Sequence, residues 1–273
     1  MQTIDFATFE PHHIHACRED FLGNGDVGRY VFIPGSNDRA QSIADKYFTN
    51  VVVRQSKRGH HLYLGDMEIN GKTFKVASIS TGMGTPSVDL ILSELIILGA
   101  KRFLRVGTAG SMQPDVRVGD VVFATASVRD ESTSVNYVPY QFPAVASLDF
   151  TCVANNVRKE VDYRVRMGVV HTKDSLFARE FLCGPSGQDS ISFVNKMKAY
   201  GVMATEMESS HIFVLSKIYA KLLGYSIKSG CVLGVIGDDD PFSNDKEAQD
   251  LAIQNAVDFG VRLIKNMAAE EVA

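Results

Sequence analysis

Apolar positions along this chain follow two rhythms. Short β-branched and aromatic runs predict strands at Tyr30–Ile33, Phe74–Ser80, from Phe103 onward, Gly119–Ser127, Arg166–His171 and Gly230–Ile236. Stripes at helical spacing predict helices over about Asp38–Phe48, from Pro86 to Gly99, Leu148–Val161, Ile191–Tyr200, through Ile212–Leu222 up to Gly224, and Lys246–Ala269. The stripe Val88, Ile91, Leu92, Leu95 and Ile96 is the clearest, with Thr85 as the expected N-cap and Pro86 in the first turn, where its missing N–H costs nothing. A strand at 74–80, this helix and the strand at 103 form a βαβ unit, hence an α/β fold with parallel pairing. Three glycine-bearing turns then fall at the carboxyl ends of strands, where such sheets bind ligands. Residues 172–187 show no period and read as a loop and candidate lid, and residues 1–28 as an irregular arm that packs on a neighbouring subunit. With no repeat, low-complexity tract or linker, residues 1–273 read as one domain.

Composition narrows the classes. A chain of 273 residues, 45% hydrophobic, can bury a large core. A net charge of −4 and a pI near 6.0 give no footprint for nucleic acid, and no basic run suggests a membrane surface. Cys17, Cys152, Cys183 and Cys231 are widely spaced without a C-x-x-C pair, as expected of reduced thiols in a cytoplasmic protein. Met1–Glu10 lacks the apolar run of a signal peptide, and the most apolar segment, 88–100, is interrupted by Asp89 and Glu94. His13, His15 and Cys17 alternate and could share one face, but no fourth ligand follows at zinc-like spacing, so no metal site is expected.

Charge inside apolar segments points to the chemistry. Arg105 sits between Leu104 and Val106 in a strand, where burial is costly unless an anion or carboxylate meets it. The strand is expected to break at Gly107-Thr108-Ala109-Gly110-Ser111 into a turn whose N–H groups and hydroxyls face a ligand. A phosphate and a structural carboxylate both answer for Arg105. Ile33-Pro34-Gly35-Ser36-Asn37-Asp38-Arg39 is a strand, a glycine turn and a helix start, which is either an anion site with Arg39 or an ordinary turn capped by Asn37 or Asp38. Glu206 and Glu208 flank Met207 before a helix, as functional carboxylates or as partners of the helix dipole.

Taken together, Ile33-Pro34-Gly35…Asp38-Arg39, Ser80-Thr81-Gly82-Met83-Gly84-Thr85-Pro86-Ser87, Phe103-Leu104-Arg105-Val106-Gly107-Thr108-Ala109-Gly110 and Thr205-Glu206-Met207-Glu208-Ser209 resemble the nucleoside phosphorylase family, over nearly the whole chain. Gly25-Asp26-Val27-Gly28-Arg29-Tyr30, Phe142-Pro143-Ala144-Val145-Ala146 and Lys173-Asp174-Ser175 are similar to its uridine branch. The resemblance implies a three-layer α/β/α domain with a central mixed, largely parallel sheet. It implies phosphorolysis of a ribonucleoside, uridine or else a purine nucleoside, with inorganic phosphate as co-substrate and no organic cofactor. Gly35, Arg39, Arg105 and Thr108 would hold phosphate, with Arg58 from a neighbouring subunit. Met207 and Glu208 would hold ribose, with His13 from the neighbour's arm. That sharing implies a homo-oligomer, at least a dimer. Thr108, Gly110, Phe177, Arg179 and Asp238 would surround the base, and Arg105, Glu208 and Asp239 would act in catalysis.

The chain departs from the uridine branch where the base should sit. That branch reads uracil with a Gln-x-Arg pair, where this chain has Leu176-Phe177-Ala178-Arg179-Glu180, leaving Arg179 or the distant Gln188. Asp238 and Asp239 stand where it has an arginine and resemble the purine branch, in which an aspartate helps protonate the departing base. Arg58-Gly59-His60 lacks the glutamate that the uridine enzymes contribute to an interfacial potassium site. A hydrolase on the same fold would have no need of Arg39 and Arg105, and a non-catalytic nucleoside-binding protein no need of both with Glu208.

Overall fold

The computed structural model describes residues 4–238 and 245–272. Its strands are β1 (Tyr30–Phe32), β2 (Thr49–Arg54), β3 (Leu62–Ile69), β4 (Lys72–Ile79), β5 (Arg102–Ser111), β6 (Val121–Asp130), β7 (Ala144–Val145), β8 (Val165–Lys173), β9 (Ala204–Glu206) and β10 (Lys228–Gly237). Its helices are α1 (Asn37–Tyr47), α2 (Thr85–Ile97), α3 (Leu148–Val157), α4 (Leu176–Arg179), α5 (Gly187–Ala199), α6 (Ser209–Leu223) and α7 (Lys246–Glu271). The expected α/β alternation holds, and all strands join one mixed sheet.

That sheet has two characters. From its β2 edge it runs β2-β3-β4-β1-β5, antiparallel up to β4 and parallel from β4 through β1 to β5. Beyond β5 it curls, because β10 pairs with both β5 and β6, and β6-β8-β9 leads back to β5. Parallel and antiparallel pairings are equally frequent among the described strands, so the sheet is evenly mixed instead of largely parallel. The strand β5 makes the closure geometrically accessible. Its first residues pair with β1, most of its length with β10, and Gly110 and Ser111 with β9.

This pairing corrects one expectation directly. Gly107–Gly110 is not a turn: β5 continues to Ser111, because β10 supplies a parallel partner as far as Gly110. Burial explains why these strands read as continuous apolar runs, with Phe103, Leu104, Val232 and Leu233 all fully buried. At Gly234 a Cβ would lie 2.5 Å from the Ala252 carbonyl oxygen, so glycine there lets α7 lie directly on β10.

Other differences are local. The pattern left 49–69 unassigned, yet β2 and β3 lie there. On β2, Val51, Val52 and Val53 are all exposed at the sheet edge, and Asn50 adopts φ 53° at a register shift, so no inward–outward alternation marks the strand. Gly84, rather than Thr85, is the N-cap of α2, and α3 stops at Val157 instead of Val161. The expected loop at 172–187 holds the short helix α4 and the start of α5. Within the chain the arm is tied to α2, where Glu94 accepts from the backbone N–H groups of His12, His13 and Ile14.

Candidate active site

Arg105 lies mid-strand in β5, 4% exposed, paired across the backbone with Cys231 of β10. Its side chain has room because residue 107 is glycine. A Cβ there would meet the guanidinium at 3.0 Å and Leu233 at 3.0 Å. The Nη2 atom is hydrogen-bonded to the Glu208 carboxylate, and Nε lies 3.7 Å from Glu206 Oε2. Nε and Nη1 are buried with no hydrogen-bond partner. Unpartnered buried donors on a cation are costly, which marks the site as built for another acceptor.

Gly35 and Arg39 come to the same place. A Cβ on Gly35 would stand 4.0 Å from Arg105 Nη2. Ser36, not Asn37 or Asp38, caps α1, accepting the Arg39 N–H at 3.3 Å, and this sets Arg39 in the first turn. The Arg39 Nη1 donates to the Val106 carbonyl at 3.2 Å. Burial, followed by the charge of Arg105, pulls the Arg39 guanidinium down to about 10, with Glu208 opposing. Two guanidinium groups that repel each other, with Arg105 Nε and Nη1 lacking hydrogen bonds, present the charge and donors that suit an anion.

The two glutamates divide their work. Glu206, the last residue of β9, accepts the backbone N–H of Glu208 at 2.9 Å and the backbone N–H of Ser209 and the hydroxyls of Ser209 and Thr172. It closes the N-terminus of α6, so the helix-dipole expectation fits it. Glu208 turns away, accepting from the Gly84 N–H at 2.7 Å while paired with Arg105. Burial raises its carboxyl above the ordinary range, the Arg105 charge opposing and the Glu206 charge adding. Met207 stands between them, half-buried, and Thr108 is half-buried near the carboxyl end of β5.

His13 and Arg58 are tied to each other. Ser56 donates to the His13 carbonyl at 3.2 Å and accepts the Arg58 N–H at 3.2 Å, while His13 Nδ1 meets Glu94 at 2.7 Å. His15 bonds the Gln55 carbonyl and Cys17 bonds Asp20, so the three alternating residues of the arm do not converge. Among the described residues no group of three or more His, Cys, Asp or Glu side chains could hold a metal.

A pocket of about 200 Å³ opens at the end of β5, lined by Gly110, His171, Arg179, Glu180, Thr205 and Asp238 among others. Arg179, expected at the base, lines this pocket with most of its guanidinium engaged. Its Nε and Nη2 both donate to Asp130 at 2.7 Å, and its guanidinium stacks 4.5 Å from the Phe193 centroid. His171 bonds Asp130 at 2.9 Å through Nε2 and Thr205 Oγ1 at 3.0 Å through Nδ1. Although burial works against it, hydrogen bonds from His171 and Arg179 hold the Asp130 carboxyl below the usual range. Lys173 donates to Thr205 Oγ1 at 2.9 Å and pairs with Glu180. An ammonium accepts nothing, so the Thr205 hydroxyl oxygen accepts from Lys173.

Sequence reasoning passed over Asp130, His171, Lys173, Glu180 and Thr205. One signal was present: His171 and Lys173 are two apart on β8 and therefore share a face at its carboxyl end. Phe177, expected at the base, is 64% exposed and packs edge-on against Phe181 at 5.3 Å. Asp238 lines the pocket at an exposed position, and Asp239 lies outside the described residues.

The chain matches the family model described as the phosphorylase superfamily over residues 29–267. It is 32% identical over 257 residues to a uridine phosphorylase of Treponema pallidum (strain Nichols), covering 92% of this chain and 93% of that protein. To the uridine phosphorylase of Escherichia coli (strain K12) it is 32% identical over 228 residues, 82% of this chain and 84% of that protein. A DeoD-type purine nucleoside phosphorylase of Bacillus thuringiensis (strain Al Hakam) is 32% identical over 197 residues, 71% of this chain and 78% of that protein. With the anion site at Arg39 and Arg105 and a match across most of its length, the chain belongs to the phosphorylase superfamily.

Proposed function

We propose that this chain is a nucleoside phosphorylase, a pentosyltransferase that converts uridine and phosphate to uracil and ribose 1-phosphate. The observation that carries the reading is Arg105, buried beside Arg39 with two guanidinium nitrogens unpartnered and Glu208 on its third. Phosphate fills that need. Gly35 leaves space for it, Thr108 adds a hydroxyl, and Arg58 joins from a neighbouring subunit. One phosphate oxygen bonds to C1′ as the glycosidic bond breaks, and that bond's electron pair leaves with the base. Positive charge on the sugar is greatest between these events, and Glu208, holding the ribose hydroxyls beside Met207, stabilises it. The neighbour's His13, linked to Arg58 through Ser56, arrives at the sugar with it. Thr108 and Gly110 face the base, with Asp238 at the rim. No cofactor has a part in this chemistry.

The acids at the base end favour a second reading, cleavage of purine nucleosides. Asp238 lines the pocket, and in that reading Asp239 protonates the departing purine, whereas a carboxylate facing an anionic uracil is unfavourable. We further read residues 1–273 as a single three-layer domain acting as a cytoplasmic homo-oligomer. One contiguous core, with α2 packed on α6 and α3 on α7, supports the single domain. Among the described residues no helix is long and apolar enough to cross a membrane.

The test is base release from uridine, thymidine, inosine and adenosine with and without phosphate. Phosphate-dependent release of uracil is expected. Release that is unchanged without phosphate refutes the phosphorylase reading. Inosine or adenosine cleavage without uridine cleavage selects the purine reading.

A further inference from the structure

We propose that Glu180, held from behind by Lys173, selects the base by accepting a ring N–H of the nucleobase in the pocket beyond Gly110. This assignment rests on the phosphorylase reading and adds a specificity-determining residue to it.

Four observations place Glu180 in that role. First, it lines the pocket at the end of β5, the strand that carries Arg105 and Thr108 towards the same end. Second, its carboxylate is fixed. Lys173 is 2% exposed, and its ammonium, already bonded to Thr205, pairs with Glu180 Oε1. The backbone of Glu180 closes α4 by donating to the Leu176 carbonyl at 2.9 Å. Third, the other oxygen, Oε2, faces Gly110: a Cβ there would stand 3.8 Å from it. Gly110 and the carboxylate therefore line the same part of the pocket. Fourth, the competing cation is occupied, since Asp130 takes two nitrogens of Arg179.

The chemistry follows from the donor set. An ionised carboxylate only accepts hydrogen bonds, so Oε2 pairs with an N–H and repels a carbonyl or ring nitrogen lone pair in the same place, while the Lys173 ammonium offsets the Glu180 charge as the base departs. Met112, Leu182, Ile191 and Val194 supply apolar walls, the usual setting in which a few polar groups fix orientation. Uracil and hypoxanthine each present a ring N–H beside a carbonyl. Methylation of that nitrogen removes the donor and places a methyl group against Oε2. A site built on one hydrogen bond rejects the analogue that lacks it far more strongly than an apolar pocket rejects an extra methyl.

The experiment compares phosphorolysis of uridine with 3-methyluridine, and of inosine with 1-methylinosine, in the full-length wild type and in Glu180→Ala, Glu180→Gln and Lys173→Met. For whichever parent nucleoside is cleaved, the wild type is expected to prefer it over its N-methyl analogue by about a hundred-fold or more in kcat/KM. In Glu180→Ala that ratio falls to about ten-fold or less. Glu180→Gln, which keeps the shape, raises KM for the parent more than it lowers kcat, because Lys173 holds the amide oxygen and leaves the NH2 group facing the ring N–H. Lys173→Met gives an intermediate ratio, and Lys173→Arg restores it, as expected of a positioning residue. Activity with the full N-methyl discrimination retained in both Glu180 variants overturns this assignment alone. Absence of phosphate-dependent base release in the wild type overturns the phosphorylase reading and this assignment with it.

Discussion

Two arginine–carboxylate clusters flank the carboxyl end of β5, one buried around Arg105 within the strand and one half-buried around Arg179 of α4, and they differ in one respect. At the Arg105 end, the guanidinium keeps Nε and Nη1 unpartnered, Arg39 adds a second charge, and Glu208 is pushed towards its neutral form by burial. At the Arg179 end, Asp130 takes the guanidinium through two hydrogen bonds, His171 fills a further bond to Asp130, and Lys173 neutralises Glu180. The first cluster has cationic donors left over after its carboxylates are counted; in the second, the carboxylates and cations answer one another. An arginine in an apolar setting is therefore informative only once its acceptors are counted, because a satisfied cation shapes a pocket whereas an unsatisfied one binds.

The strongest way to break this comparison is Arg105→Ala. It removes the unpartnered donors and leaves Glu208 buried without its cation. Phosphorolysis is expected to fall about 10²–10³-fold in kcat, the usual loss for a preorganised donor, with phosphate binding lost in a calorimetric titration. Retained phosphate affinity would place the anion elsewhere.

The acidity of Glu208 offers a second test. Its folded carboxyl lies above the ordinary 4.5, so on acidification it takes up its proton earlier than an exposed glutamate. Protonated Glu208 no longer offsets positive charge on the sugar. The acid limb of kcat/KM is therefore expected above pH 4.5, and it should move further upward in Arg105→Lys if the cation is displaced from the carboxylate. A limb below that value would show that Glu208 is not the group that titrates.

Asp130→Asn tests the self-contained cluster. Asp130 titrates below its ordinary value in the fold, so its pairing stabilises at pH above about 4 and is lost as pH falls through the lowered value. The substitution is expected to cost about 1–3 kcal/mol in urea unfolding at pH 7 and to flatten the acid-side loss of stability, with phosphate KM within about two-fold. A large rise in phosphate KM would join the two clusters into one site. The smallest effect is expected of Phe177→Ala, because its ring is 64% exposed: nucleoside KM within about three-fold, as for a surface change. A larger rise would return Phe177 to the base pocket.

Much of the Arg105 cluster was legible in the chain. A charge in an apolar strand and a glycine turn before a helix are local patterns, and Arg39, Gly35 and Arg105 carried them. The base end was less legible. Arg179 looked available because its partner, Asp130, lies 49 residues away, and Glu180 was given no role because Lys173 reaches it across a turn. Phe177 read as a base contact from its place in the loop, yet α4 points its ring outward to Phe181. The edge strand β2 escaped for a different reason: with three exposed valines in a row, it carries no alternation to detect.

The sequence by itself determined the α/β alternation, the glycine turns before α1 and α2, and the charged residue types from which an anion site could be built. These depend on neighbours within a few positions, where periodicity, capping and φ preferences act. Only the tertiary structure decided that residues 107–111 remain a strand, since the partner that keeps them extended, β10, lies more than a hundred residues further along the chain. It also decided which carboxylate meets which cation. Hydrogen bonds are satisfied in space, so Glu206 capping α6, Glu208 meeting Arg105 and Glu180 backed by Lys173 became distinct only when β5, β8 and β9 were brought side by side.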